Sequence, residues 1–123
     1  MEFDPLSKQI IGAALEVHRT LGPGLLESVY EPALACELTA SGIKVRLQVP
    51  VPVAYKAVNL DCGFRIDHLV EEQLISQLKS VDAFAPIHDA QLLTYLKPTG
   101  HKTGLLINFN MPLLKYGIKR LVN

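Results

Sequence analysis

Apolar residues recur at Ile10, Ala14, Val17 and Leu21, steps of three and four that put them on one face of a helix. Asp4 supplies a cap, Pro5 suits the first helical position, and Gly22-Pro23-Gly24 ends the run. A second helix is predicted from about Leu26 to Ala40, with Gly42 in the stop position; Pro32 lies inside it and should kink it or delay its start. After Gly42 the period drops to two. Val45, Leu47 and Val49 alternate with polar residues as a strand, and Pro50 and Pro52 mark an exposed edge or a break. Val53 to Tyr55 resumes extended structure. Asn59 to Val70 reads as a second strand and Gln73 to Val81 as a third, joined by a polar turn at Glu71-Glu72.

Pro86 then opens a helix over about Ile87 to Leu96, ended by Pro98 and Gly100. Thr103 to Phe109 is a continuous apolar run, the signature of a strand buried on both faces. The tail from Leu113 to Val122 suits a short strand or helix. The order α-α-β-β-β-α-β predicts an α/β or α+β domain, a mixed central sheet flanked by helices. With 123 residues, that is one domain spanning 1–123.

Charge changes the picture in one respect. Twelve basic and twelve acidic residues cancel, which excludes a non-specific basic coat for nucleic acid but leaves room for a local cleft. Lys115, Lys119 and Arg120 gather near the end of the sequence, a group that can meet phosphates or form an ordinary solvated face. Cys36 and Cys62 lack metal-ligand or scaffold spacing and read as small apolar fillers in a reduced, cytoplasmic protein. The opening residues Met-Glu-Phe-Asp-Pro do not form a secretory signal, and Asn108, Asn110 and Pro112 break the longest apolar stretch, so no membrane partner is expected.

Polar residues converge in the hairpin from Asp67 to Lys79. A turn centred on Glu72 sets Asp67 directly opposite Gln77, with side chains about 5 Å apart. Alternation places Ile75, Gln77 and Lys79 on one face and Leu74, Ser76 and Leu78 on the other. A lysine on such a strand needs a partner or a solvent-filled cleft, so an Asp67–Lys79 ion pair on a wet face competes with a functional site. On the helix after Pro86, His88, Gln91 and Tyr95 form a second polar stripe, opposite Leu92, Leu93 and Leu96; the competing reading is a polar outer face. Gly24-x-x-Glu27-x-x-Tyr30 enters the second helix, where Glu27 is also favourable with the helix dipole, and His18 suits the end of the first. No histidine pairing for zinc occurs, and no phosphate-loop, dinucleotide or nucleophile-elbow motif.

Gly22-Pro23-Gly24-Leu25-Leu26-Glu27-Ser28-Val29-Tyr30, Arg65-Ile66-Asp67, Gln77-Leu78-Lys79 and the run from His88 to Lys97 together resemble the GxxExxY protein family, assigned to the PD-(D/E)XK nuclease-like superfamily. The resemblance spans Leu6 to Val122 and implies a restriction-endonuclease-like core. It assigns Asp67, Gln77 and Lys79 to catalysis and Gln91, Tyr95 and His88 to substrate binding. It implies Mg²⁺ or Mn²⁺ on Asp67, Glu27, Gln77 and the Leu78 carbonyl, for phosphodiester hydrolysis of nucleic acid. One departure is decisive, because the D/E-x-K carboxylate is Gln77 here. Glu27 can supply the second carboxylate, the domain can be an inactive relative that binds without cutting, or the residue can be an engineered inactivation. A non-catalytic binding or assembly module on the same fold is therefore the alternative. Exposed sheet edges are compatible with a homodimer, and a domain of this size leaves target selection to a separate protein.

Overall fold

The structure, a computed structural model, describes residues 3–61 and 63–123. The first predicted helix is α1 (Pro5–Leu21). Asp4 caps it, accepting from the Ser7 N–H at 3.0 Å and the Ser7 hydroxyl at 2.7 Å, while Arg120 donates from the far end of the sequence at 3.0 Å. Burial opposes ionisation there, yet these donors lower Asp4 to about 2. Ile10, Ala14 and Val17 are buried as the spacing requires; Leu21 is exposed at the helix end. The second helix, α2 (Glu27–Ala40), runs through Pro32. The proline lies on the exposed side, where its missing N–H leaves no buried group unpaired.

Among the described residues seven strands and one further α-helix follow: β1 (Val45–Pro50), β2 (Val53–Tyr55), β3 (Val58–Leu60), β4 (Arg65–Val70), β5 (Leu74–Lys79), α3 (Pro86–Thr99), β6 (Thr103–Asn108) and β7 (Ile118–Val122). The strand expected over Asn59 to Val70 is therefore two. Asp61 accepts the Gly63 N–H at 3.1 Å, and Gly63 sits at φ +78°, so the chain turns between β3 and β4. β3 pairs with β2 in a separate two-stranded ribbon. The expected third strand shortens to β5, and α3 extends past Pro98 until Gly100 closes it in the left-handed conformation. The tail contains both forms expected of it, a 3-10 turn at Leu114–Gly117 and then β7.

The main sheet has the order β1-β4-β5-β6-β7, with β5 and β6 parallel across the α3 crossover and every other pair antiparallel. It is a mixed sheet in an α+β fold of the restriction-endonuclease-like kind. Leu74, Leu78, Leu105 and Ile107 pack under α1 and α2, whereas Ile75 and Leu106 pack under α3 with Leu92, Tyr95 and Leu96. The alternation read along β5 is the observed one.

The β1–β4 ribbon breaks its alternation. Val45 and Val70 join the first core, while Val49 and Ile66, four residues away along the same strands, join the second. Gln48 lies between the two valines at φ +53°. Cys36 is exposed on α2, so it is not a core filler, and Cys62 lies outside the described residues. Among the described residues no helix is long and apolar enough to cross a membrane.

Candidate active site

The hairpin turn forms where its polar residues predict, with Glu71 and Glu72 both at positive φ and the Gln73 N–H donating to the Val70 carbonyl at 2.9 Å. The ladder then pairs Val70 with Leu74, Leu69 with Ile75 and His68 with Ser76. At the next step, where Asp67 faces Gln77, side chains take over from the backbone. Gln77 Oε1 accepts the Asp67 N–H at 2.6 Å, and Asp67 Oδ2 accepts the Leu78 N–H at 2.7 Å. Gln77 Nε2 adds a long bond to the Arg65 carbonyl at 3.5 Å. Asp67 and Gln77 thus meet as expected, but the Gln77 carboxamide spends its contacts on the β4 backbone. Leu78 meets Asp67 through its N–H.

Lys79 is half-buried and makes no ion pair among the described residues, so the pairing with Asp67 on a wet face does not form. Its charge still acts on Asp67. Burial pushes the Asp67 carboxyl up; the Leu78 N–H pulls it back, the Glu31 and Glu27 charges push it up again, and Lys79 offsets them. The balance is a raised pKa, a frequent mark of functional carboxylates.

Glu27 opens α2 and is held there by its own motif. The Tyr30 hydroxyl donates to the Gly22 carbonyl at 2.6 Å and accepts the Leu25 N–H at 3.1 Å, pinning the loop before the helix. Gly24, at φ +93°, supplies the turn in that loop. Ser80, one residue after Lys79, donates its hydroxyl to the Leu25 carbonyl at 2.6 Å, so the loop is tied to the end of β5. These bonds explain the tyrosine of the motif, the positive φ of Gly24 explains its glycine, and together they set the start of α2 at Glu27.

Glu31 is the residue that the motif reading missed. It follows Glu27 by one helical turn on the same face, a spacing visible in the sequence but overshadowed by Pro32. Its carboxylate accepts from Gln48 Nε2 at 2.6 Å, and the same amide reaches Asp67 Oδ1 at 3.3 Å. His68 Nε2 lies 2.8 Å from the Glu31 carbonyl, fixing α2 beside β4 one residue from Asp67.

The stripe on α3 is only partly as expected. Tyr95 is 6% exposed and packs with Leu92 and Leu96, so it is no part of a wet outer face. Its ring lies 6.0 Å from that of Phe64, and burial followed by the Asp67 charge raises its hydroxyl pKa, which places it within electrostatic reach of the carboxylate. Gln91, one turn earlier, lines with Tyr95, Phe64 and Ile87 a groove of about 240 Å³. His88 points elsewhere: its Nδ1 accepts the Ala85 N–H at 3.0 Å and caps α3. The basic group near the sequence end is largely neutralised, with Lys119 on Asp89 at 2.7 Å and Arg120 on Asp4 at 3.0 Å.

Carboxylate oxygens such as those of Asp67, Glu27 and Glu31 are the donor type that a hard divalent cation takes. A carboxylate pushed up by burial first and then by two like-charged neighbours is where such a cation would relieve repulsion. No three His, Cys, Asp or Glu side chains among the described residues enclose an ion. Mg²⁺ binds through one or two carboxylates and keeps waters and substrate phosphates as its other ligands, so Asp67 with Glu27 or Glu31 are the residues that would hold it.

Comparisons with curated proteins and with solved structures found no match. A family model described as the PD-(D/E)XK nuclease superfamily matches residues 4–121. The match takes in both helices before the sheet, α3 and the main sheet up to Leu121 in β7, and so the chain belongs to the PD-(D/E)XK nuclease superfamily.

Proposed function

We propose that the protein is a nuclease-like enzyme for metal-dependent phosphodiester hydrolysis in nucleic acid, with activity weakened at Gln77. The observation that carries this reading is the Asp67 carboxylate, held by the Leu78 N–H where β4 and β5 part and bridged to Glu31 through Gln48, with the charges of Glu27 and Lys79 acting on it. When held by Asp67 with Glu27 or Glu31, Mg²⁺ or Mn²⁺ supplies Lewis acidity, polarising the phosphate and making the attacking water more acidic. The chain does the rest. Leu78 N–H fixes the Asp67 carboxylate, and Lys79, without a carboxylate of its own, stabilises charge on the phosphoryl oxygens. Gln91 and Tyr95 orient the nucleic-acid backbone, while His88, whose Nδ1 caps α3, would reach it only through its other ring nitrogen. The substrate arrives at a domain of zero net charge, so target selection by a separate protein belongs to the same reading, which we place in the cytoplasm.

Gln77 leaves the site one negative charge short of two carboxylates in the hairpin, and cation affinity follows ligand charge. The test is Gln77→Glu, assayed on DNA and RNA with Mg²⁺ and Mn²⁺. The expected result is a gain of metal-dependent cleavage that Lys79→Ala abolishes; failure of both the parent and the Glu variant to cut any substrate overturns the reading. One observation favours the alternative of a non-catalytic binding or assembly module: both ends of the Gln77 carboxamide bind the backbone of β4. That module binds its partner with Gln77 in place and stays inert as the Glu variant.

A further inference from the structure

Four described residues other than glycine adopt positive φ: Gln48, Lys56, Glu71 and Glu72. Lys56 lies in the turn between β2 and β3, and the two glutamates form the turn between β4 and β5. Only Gln48 stands inside a strand, paired on both sides through Leu47 with His68 and Val49 with Ile66. The fold explains the backbone. Here the β1–β4 ribbon passes from the core under α1 and α2 to the core under α3, and one residue in the left-handed region reverses the pleat.

The fold does not explain the side chain. Glycine or asparagine meets that backbone requirement at lower cost than glutamine. Burial does not explain it either, since Gln48 is exposed and its amide would be satisfied by water. The carboxamide instead reaches two carboxylates from different elements, Glu31 on α2 at 2.6 Å and Asp67 on β4 at 3.3 Å. From the other side, His68 holds the Glu31 backbone at 2.8 Å. Glu31 is therefore clamped against Asp67 at its carboxylate and at its carbonyl.

We propose that Gln48 is a positioning residue of the cleft: its carboxamide holds the Glu31 and Asp67 carboxylates on one donor and so recruits Glu31 into the group that acts on the phosphodiester. The proposal rests on the hydrolytic reading above and adds to it a second carboxylate that the D/E-x-K position lacks. Two acidic groups on one amide cannot drift apart under their own repulsion, and supports of this kind typically change metal affinity or activity 10- to 100-fold when lost.

The experiment uses the full chain carrying Gln77→Glu, into which Gln48→Gly, Glu31→Ala and the pair are introduced. Melting temperature is measured together with Mn²⁺-supported kcat and KM. Gln48→Gly is expected to melt at or above its parent, because glycine relieves the left-handed backbone, while kcat falls about tenfold or more and KM stays within about twofold. Glu31→Ala is expected to lose a similar factor, and the double variant no more than either single, because Gln48 acts through Glu31. An unchanged kcat in Gln48→Gly, losses that multiply in the double variant, or a fall in melting temperature that accompanies the lost activity overturns the proposal. If neither the parent nor the Gln77→Glu chain cuts any substrate, the hydrolytic reading has failed, and the Gln48 side-chain amide resonances of the parent decide the clamp. Their movement in both Glu31→Ala and Asp67→Ala supports it, and their constancy in either overturns it.

Discussion

Asp67 carries its charge against its surroundings. Burial is the largest influence raising its carboxyl pKa, and Glu31 and Glu27 add to it more than Lys79 removes. A carboxylate raised in the folded state favours folding while protonated, so its contribution is present below the unfolded value, near 3.8, and is lost as pH climbs through the folded value. Glu31→Gln removes one like charge and keeps an acceptor for Gln48. It should raise the melting temperature at pH 7 by about 1–3 °C, and the gain should vanish at pH 3, below the ordinary range of Asp67, where that carboxyl carries no charge to be repelled. A pH series of thermal melts checks this, and an equal shift at both values would show that charge is not the cause. Asp67 and Gln77 were legible in the sequence because a turn centred on Glu72 fixes which residues of a hairpin face each other. Glu31 and Gln48 were not, since their value lies in a contact between a helix and a strand 17 residues apart.

Helix α3 reaches the sheet because β6 offers it a gap. A Cβ added at Gly104 would lie 2.8 Å from the Leu92 side chain, which is fully buried and has little room to yield. Gly104→Val should therefore cost about 1–3 kcal/mol by overpacking and lower the melting temperature by roughly 3–10 °C. It should also lift Gln91 and Tyr95 away from the β5 end of the sheet, read as a change in near-ultraviolet tyrosine signal; an unaltered melt and spectrum would mean α3 is not seated through this contact. The stripe of His88, Gln91 and Tyr95 shows the limit of helical periodicity. Tyr95 sits on the boundary of the apolar face, and only the position of Phe64 and the sheet beneath turns it inward. His88 shares the spacing, yet its place in the first turn gives it a capping bond instead.

Across the whole molecule, the larger core and the site are joined at Phe109 and Tyr30. Their rings stack at 4.4 Å and 10°, both fully buried, and the Tyr30 hydroxyl holds the loop that leads to Glu27. Phe109→Ala removes the stacked face and should cost about 3–5 kcal/mol, a large share of the 5–15 kcal/mol typical of a domain. Urea denaturation checks the figure, and a loss under about 1 kcal/mol would show that the stack is replaceable. Zero net charge takes on a definite meaning at this scale. Acidic residues concentrate around Asp67, and two of the three basic residues near the sequence end are occupied by Asp4 and Asp89.

The sequence by itself determined the element types, the turn at Glu72 and the register that sets Asp67 against Gln77. It also determined the two faces of β5, because alternation and turn chemistry act over a few neighbouring residues. Tertiary structure alone decided that Asn59 to Val70 divides into two strands in different sheets and that Cys36 faces water. It decided, too, that the β1–β4 ribbon changes cores at Gln48, the one strand residue with a left-handed backbone among the described residues. That reversal cancels the alternation from which strand faces are read, so the grouping of Gln48, Glu31 and Asp67 exists only once α2 is packed across the sheet.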